Sequence, residues 1–177
     1  GGTTFRGNST QYVLAADCSR SKAGFAIYDL LSGKKHVYNN ASPVAFTGTA
    51  VADGVVAKDY YYIACANTGL WRLTPDRLTM EHIPTPVIGG LEKAYQLCIK
   101  HDVANTLWVL FDGGLCKLSN PDAAIGSLSW TVYNPTSGTT FSFTGITDGK
   151  WDKVVSMAID PDELADDKFL FMTVGPV

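Results

Sequence analysis

Asn67-Thr68-Gly69-Leu70-Trp71-Arg72-Leu73 returns 45 residues later as Asp112-Gly113-Gly114-Leu115-Cys116-Lys117-Leu118. The same interval earlier stands a looser copy, Gly24-Phe25-Ala26-Ile27-Tyr28. Gly24, Gly69 and Gly114 each open a short run that alternates in character, so the chain contains an internal repeat. Gly69 can take the positive φ that a tight hairpin turn needs.

Ahead of Gly69 lies Tyr60–Cys65, and ahead of Gly114 lies 106–111, both dominated by β-branched, aromatic and apolar residues. Both read as strands. Residues 49–58, broadly apolar, and Ala94–Ile99 precede them as inner strands. Residues 70–73 and 115–118 follow the glycines, and Met80–Ile83 and Trp130–Tyr133 are the outer strands. Looser signals place further strands at 11–16, 24–28, Lys35–Tyr38, Val154–Ile159 and 169–173. Four short strands in about 45 residues, with a glycine turn between the second and third, is the spacing of a β-propeller blade. The expected fold class is all-β, built of propeller-like repeats of four-stranded antiparallel blades in an incomplete ring. Only 161–167 could form a helical turn.

This reading divides the chain into an N-terminal arm (1–10) and a single repeat domain (11–177). Within the domain, 11–40 is a partial blade, 44–84 and 90–134 are whole blades, and 152–177 is a second partial blade. A loop rich in Gly, Ser and Thr, 134–151, interrupts the period. The strands amount to about three and a quarter blades, fewer than the four to eight of a closed ring. Three readings follow: a piece of a longer protein, an open meander or sandwich that borrows the repeat, or a ring completed by further copies through an unpaired last strand. The chain opens Gly1-Gly2 rather than with Met, which reads as a processed or trimmed start, and no signal peptide is visible in it.

The pattern apolar–Asp–x–x–aromatic run–(Asn/Asp)-x-Gly-Leu-x-(Arg/Lys)-Leu resembles the repeats of regulator-type and sialidase-like propellers. Gly69-Leu70, Gly114-Leu115 and Asp160-Pro161 carry the resemblance, over 49–177 with fair fidelity and over 11–40 more loosely. Thr147-Asp148-Gly149-Lys150-Trp151 faintly resembles the structural Asp-box of the sialidase-like group, with the wrong spacing. The resemblance implies an architecture and says little of function, because propellers host many unrelated activities.

Composition removes several function classes. The 177 residues are 46% hydrophobic and 18% charged with net charge −3, the profile of a weakly charged folded protein. No basic face points to nucleic acid, and no apolar run is long enough for a membrane helix. Four single cysteines, at 18, 65, 98 and 116, have no metal-ligand spacing. They read as buried thiols acting as small hydrophobes, which favours folding in a reducing compartment. The sequons at Asn8 and Asn40 matter only to a secreted chain.

No nucleophile, metal or phosphate motif appears, and no cofactor is expected. Asp59, Asp102 and Asp160 recur after the inner strands, where an Asp most often accepts backbone N–H groups in the turn. The acidic run 160–167 lacks the spacing of a calcium loop and reads as a solvated connection. His36, His82 and His101 are scattered. Among the aromatics, Tyr60, Tyr61, Trp71 and Trp151 are candidates for a binding surface, with packing between blades as the competing role. The functional expectation is a non-catalytic interaction or assembly module whose partners are proteins or further copies, such as a virion, tail or surface-assembly component. A fragment of a carbohydrate-active propeller enzyme, with a carboxylate pair on loops at the ring face, is the rival.

Overall fold

The computed structural model describes residues 2–3, 12–16, 24–29, 32–57, 60–86, 94–99, 106–111, 114–133, 154–159 and 170–174. Asp59, Asp102, Asp160 and Trp151 lie outside them, as does the whole 134–151 loop.

The described residues form an all-β chain of antiparallel sheets. Strands β1 (Gly2–Thr3), β2 (Tyr12–Ala16), β3 (Phe25–Asp29) and β4 (Lys35–Tyr38) make sheet 1, in chain order. Sheet 2 is β5 (Val51–Ala57), β6 (Tyr60–Cys65), β7 (Gly69–Leu73) and β8 (Met80–Ile83). Sheet 3 is β9 (Ala94–Ile99), β10 (Leu107–Phe111), β11 (Gly114–Leu118) and β12 (Trp130–Tyr133). Sheet 4 has two described strands, β13 (Val154–Ile159) and β14 (Leu170–Val174). Short connections leave each strand no choice but to fold back on its predecessor. The β6–β7 connection shows the repeat glycine at work: Cys65 pairs with Gly69, and Gly69 sits at φ 76° directly after the turn.

Two residues of the arm expected over 1–10 lie in a strand. Gly2 and Thr3 pair with Ala15 and Leu14, so sheet 1 has four strands rather than three. Two residues of weak strand propensity carried no local signal, and the ladder on the neighbouring strand recruits them. A 3₁₀ turn at Ile125–Ser127, also unforeseen, lies between β11 and β12.

Sheet 2 is buried on both faces, which explains why β6 reads Tyr-Tyr-Tyr-Ile-Ala-Cys instead of alternating apolar with polar. Tyr62 and Ala64 join Val55, Leu70 and Ile83 in a core shared with Leu107, Val109, Phe111, Cys116 and Leu118 of sheet 3. Tyr61, Ile63 and Cys65 join Val51, Val56 and Leu73 in a second core shared with Phe25, Ile27 and Tyr38 of sheet 1. The repeat decides the faces. Counting from the glycine, the first residue after it (Phe25, Leu70) turns to the following sheet, and the fourth (Leu73, Leu118) turns to the preceding one.

Phe46 fills the gap between sheets 1 and 2 from the loop that joins them. It is fully buried and meets Phe25 edge-on at 5.0 Å and Trp71 at 5.5 Å. Residues 49 and 50 belong to this loop rather than to the strand expected from 49, and a side chain on Gly48 would lie 2.8 Å from Cys65 Sγ. Glycine is therefore required there for packing. The inner strands also lie side by side: β5 against β2, β9 against β5 and β6, and β13 against β9. Among the described residues the four sheets form an open series.

Candidate functional site

Arg72, third after the repeat glycine, is a heavily used polar side chain between sheets 2 and 3 among the described residues. It is 2% exposed. Its Nε and Nη2 donate to Glu81 Oε2 on β8, each at 2.8 Å. Its Nη1 donates across the interface to the Pro121 carbonyl at 2.7 Å and the Ala123 carbonyl at 2.8 Å. The guanidinium also lies 4.7 Å from the Tyr60 ring centre. A planar fork of donors suits this task, since one charge must satisfy a carboxylate and two carbonyls at once. Arg72 is thus a clamp from sheet 2 onto the β11–β12 connection. Trp130 adds a second link, its Nε1 donating to the Pro84 carbonyl at 3.0 Å.

Three of the four candidate aromatics can be placed. Tyr61 is 5% exposed, and its hydroxyl accepts from Arg77 at 3.0 Å, so it offers no surface and is removed from the binding set. Tyr60 is half-buried beneath Arg72. Trp71 is half-buried too, and its indole N–H donates to Thr68 Oγ1 at 3.2 Å. On the solvent side it meets the exposed ring of His82 at 4.7 Å, and His82 Nε2 donates to the Thr68 carbonyl at 3.0 Å. Trp71 and His82 are direct partners in the β7–β8 ladder. The pair, held by Thr68 and backed by Phe46, is an aromatic group that the described residues bring to the surface, as are the stacked rings of Trp108 and Tyr133 at 5.6 Å. His82 carried no sequence signal as a site; only the register of the hairpin could have joined it to Trp71.

The fold has solved neighbours. An extracellular domain of a putative hybrid two-component system from B. thetaiotaomicron superposes with TM-score 0.51 at 20% identity, over 68% of this chain and 15% of that one. A second structure, the extracellular domain of a putative one-component system from the same organism, gives TM-score 0.52 at 19% identity, over 70% of this chain and 16% of that one. At this identity the likeness concerns the fold alone, and the chain spans about one sixth of each neighbour's length. No protein-family model matches the chain, and no curated protein sequence does.

Two acidic groups among the described residues are held by neighbouring donors. Glu81 serves Arg72, and Asp76 accepts from Thr74 Oγ1 and the Leu78 N–H, which holds its carboxyl below the usual range. No group of three His, Cys, Asp or Glu side chains among the described residues could hold a metal ion. The Tyr62 hydroxyl is buried without a hydrogen-bond partner, and burial raises its pKa despite the nearby Arg72 charge.

Cys65 and Cys116 are buried free thiols. Burial pushes both up to about 12, with a hydrogen bond to Thr68 offsetting part of the effect at Cys65. An unfolded thiol titrates near pH ~8.5. The folded chain therefore keeps protons that the unfolded chain releases, and the stability contribution, complete below that pH, is lost as pH rises toward 12. The melting temperature should fall steadily above about pH 9. At neutral pH a thiol reagent should leave Cys65 and Cys116 unmodified until denaturant is added, as read by peptide mass spectrometry. Rapid labelling of either in the native chain would contradict this burial.

Proposed function

We propose that this chain is a non-catalytic binding module built from β-propeller-type blades, the kind of surface an extracellular sensor turns toward its ligand. One observation carries the reading. Among the described residues, Glu81 and Arg72 are bound to each other and Cys65 and Cys116 are buried, while Trp71 and His82 are paired at the surface. The extracellular sensor domains that share the fold support it. Buried thiols do not oppose an oxidising location, because the sulfur is shielded from oxidant. Face-to-face sheets, adjoining inner strands and the 45-residue repeat support the propeller part of the proposal. The virion and tail context has no observation behind it. The partners of such a module are proteins or saccharides rather than nucleic acid; no helix among the described residues is long and apolar enough to cross a membrane.

The test is a fluorescence titration with a panel of oligosaccharides and extracellular peptides, alongside a panel of aryl glycosides as substrates. A binding probe should change the emission of Trp71 without being consumed. His82→Ala should weaken that probe about tenfold, roughly 1.4 kcal/mol, while stability stays within about 0.5 kcal/mol, as for an exposed side chain. Turnover of any glycoside would sink the module reading in favour of a carbohydrate-active enzyme.

A further inference from the structure

Sheets 2 and 3 share one ladder, and four substitutions between them fall on a single face. In sheet 2, Arg72 stands between Tyr62 and Glu81, and Leu70 stands between Ala64 and Ile83. In sheet 3, Lys117 stands between Trp108 and Thr131, and Leu115 stands between Leu110 and Tyr133. Strand residues two apart point the same way, so Trp108, Lys117, Thr131 and Tyr133 share a face. Their counterparts Tyr62, Arg72 and Ile83 are buried, whereas Trp108, Lys117 and Tyr133 are half-buried. Where sheet 2 has Ile83, sheet 3 has Tyr133, whose ring stacks with Trp108 at 5.6 Å and 26° between planes. Lys117 Nζ lies 5.8 Å from the centre of the Trp108 ring. The acid of the ladder is replaced as well. Glu81 neutralises Arg72 at 2.8 Å, but the ladder partner of Lys117 at that place is Thr131, which carries no charge. Lys117 is the one charged residue of these six ladder positions in sheet 3.

We propose that Trp108, Tyr133 and Lys117 form a binding site for an acidic saccharide, a pyranose ring that bears a carboxylate. The C–H face of the sugar lies on the two aromatic rings, whose faces carry partial negative charge and attract such hydrogens. Its carboxylate takes the Lys117 ammonium by a charge-assisted hydrogen bond, filling the role that Glu81 plays for Arg72 within the protein. A compact single ammonium matches a group of single negative charge, whereas a phosphate is better met by the fork of a guanidinium. The Thr131 hydroxyl, beside Lys117 in the ladder, can donate to or accept from a sugar hydroxyl. This site lies on sheet 3 and does not depend on what binds at Trp71 and His82 of sheet 2.

The test is isothermal titration calorimetry of the chain with trigalacturonate and a hyaluronan tetrasaccharide, beside the methyl ester of trigalacturonate and a triglutamate peptide. A uronate should bind about tenfold more tightly than the uncharged ester or the peptide. Lys117→Gln should weaken the uronate about tenfold, and Lys117→Arg should keep most of the affinity. Tyr133→Ile, which installs the residue of sheet 2, should weaken it about fivefold. Thr131→Glu gives Lys117 an internal carboxylate and should abolish uronate binding while the melting temperature does not fall. Failure of both uronates to bind overturns the site. Equal binding of acid and ester overturns the part played by charge, and equal binding of the peptide overturns the saccharide assignment. Uronate binding undiminished by both Lys117→Gln and Thr131→Glu overturns the location. His82→Ala should leave uronate affinity unchanged, which separates failure here from failure of the binding proposed at Trp71 and His82.

Discussion

Arg72→Ala is expected to cost about 3–5 kcal/mol, the price of breaking a buried ion pair from one side. For a chain of this size that lowers the melting temperature by on the order of 10 °C. The loss is large because one deletion strands several groups. Glu81 loses its cation, the Pro121 and Ala123 carbonyls lose their donor, and the Tyr60 ring loses the guanidinium above it. Glu81→Gln should cost only about 1 kcal/mol, since Glu81 is 29% exposed and water can reach its oxygens. Arg72→Lys should recover little, because an ammonium group cannot present the same fork. Thermal melts of the three variants decide the matter. Equal effects from Arg72→Ala and Glu81→Gln would show that the carbonyl contacts across the interface contribute nothing.

Phe46→Ala is expected to be comparably severe, about 3–5 kcal/mol for emptying a fully buried aromatic site. Phe46 touches sheet 1 through Phe25 and sheet 2 through Trp71, so the void opens where two sheets meet. Gly48 and Cys65 lie close around it, and the surrounding backbone has little freedom to collapse inward. A urea titration should show a lower midpoint, and native Trp71 emission should shift to longer wavelength as its apolar neighbour disappears. Phe46→Leu should cost distinctly less, because most of the volume remains. An unchanged midpoint in Phe46→Ala would mean that the loop does not hold the two sheets together.

Much of the architecture could be read before folding. The strands Lys35–Tyr38, Tyr60–Cys65, Met80–Ile83, Ala94–Ile99, Trp130–Tyr133 and Val154–Ile159 fall where β-rich runs end in turn residues. These are local decisions, made by alternation and turn chemistry within a few residues. Less was legible where the decision was distant. Gly2–Thr3 becomes a strand only because β2 offers it a ladder, and Phe46, inside a Pro-containing loop, carries no periodicity to mark it as core.

The candidate surface follows the same division. Trp71 was visible as an aromatic on a repeat strand, but its partner His82 lies eleven residues away and joins it only through the register of a hairpin. Tyr61, visible on equal terms, proved to be interior because sheet 1 covers that face of β6. Arg72 looked like an ordinary polar residue of an alternating strand, and its burial became apparent only when the next sheet brought two carbonyls to it.

By itself the sequence determined the all-β class, the 45-residue unit and the turn at Gly69, because backbone conformation and alternation are short-range properties. Tertiary structure decided which faces are buried, which aromatics reach water and what Arg72 holds. Those outcomes depend on the stacking of one sheet on the next, which no single strand encodes.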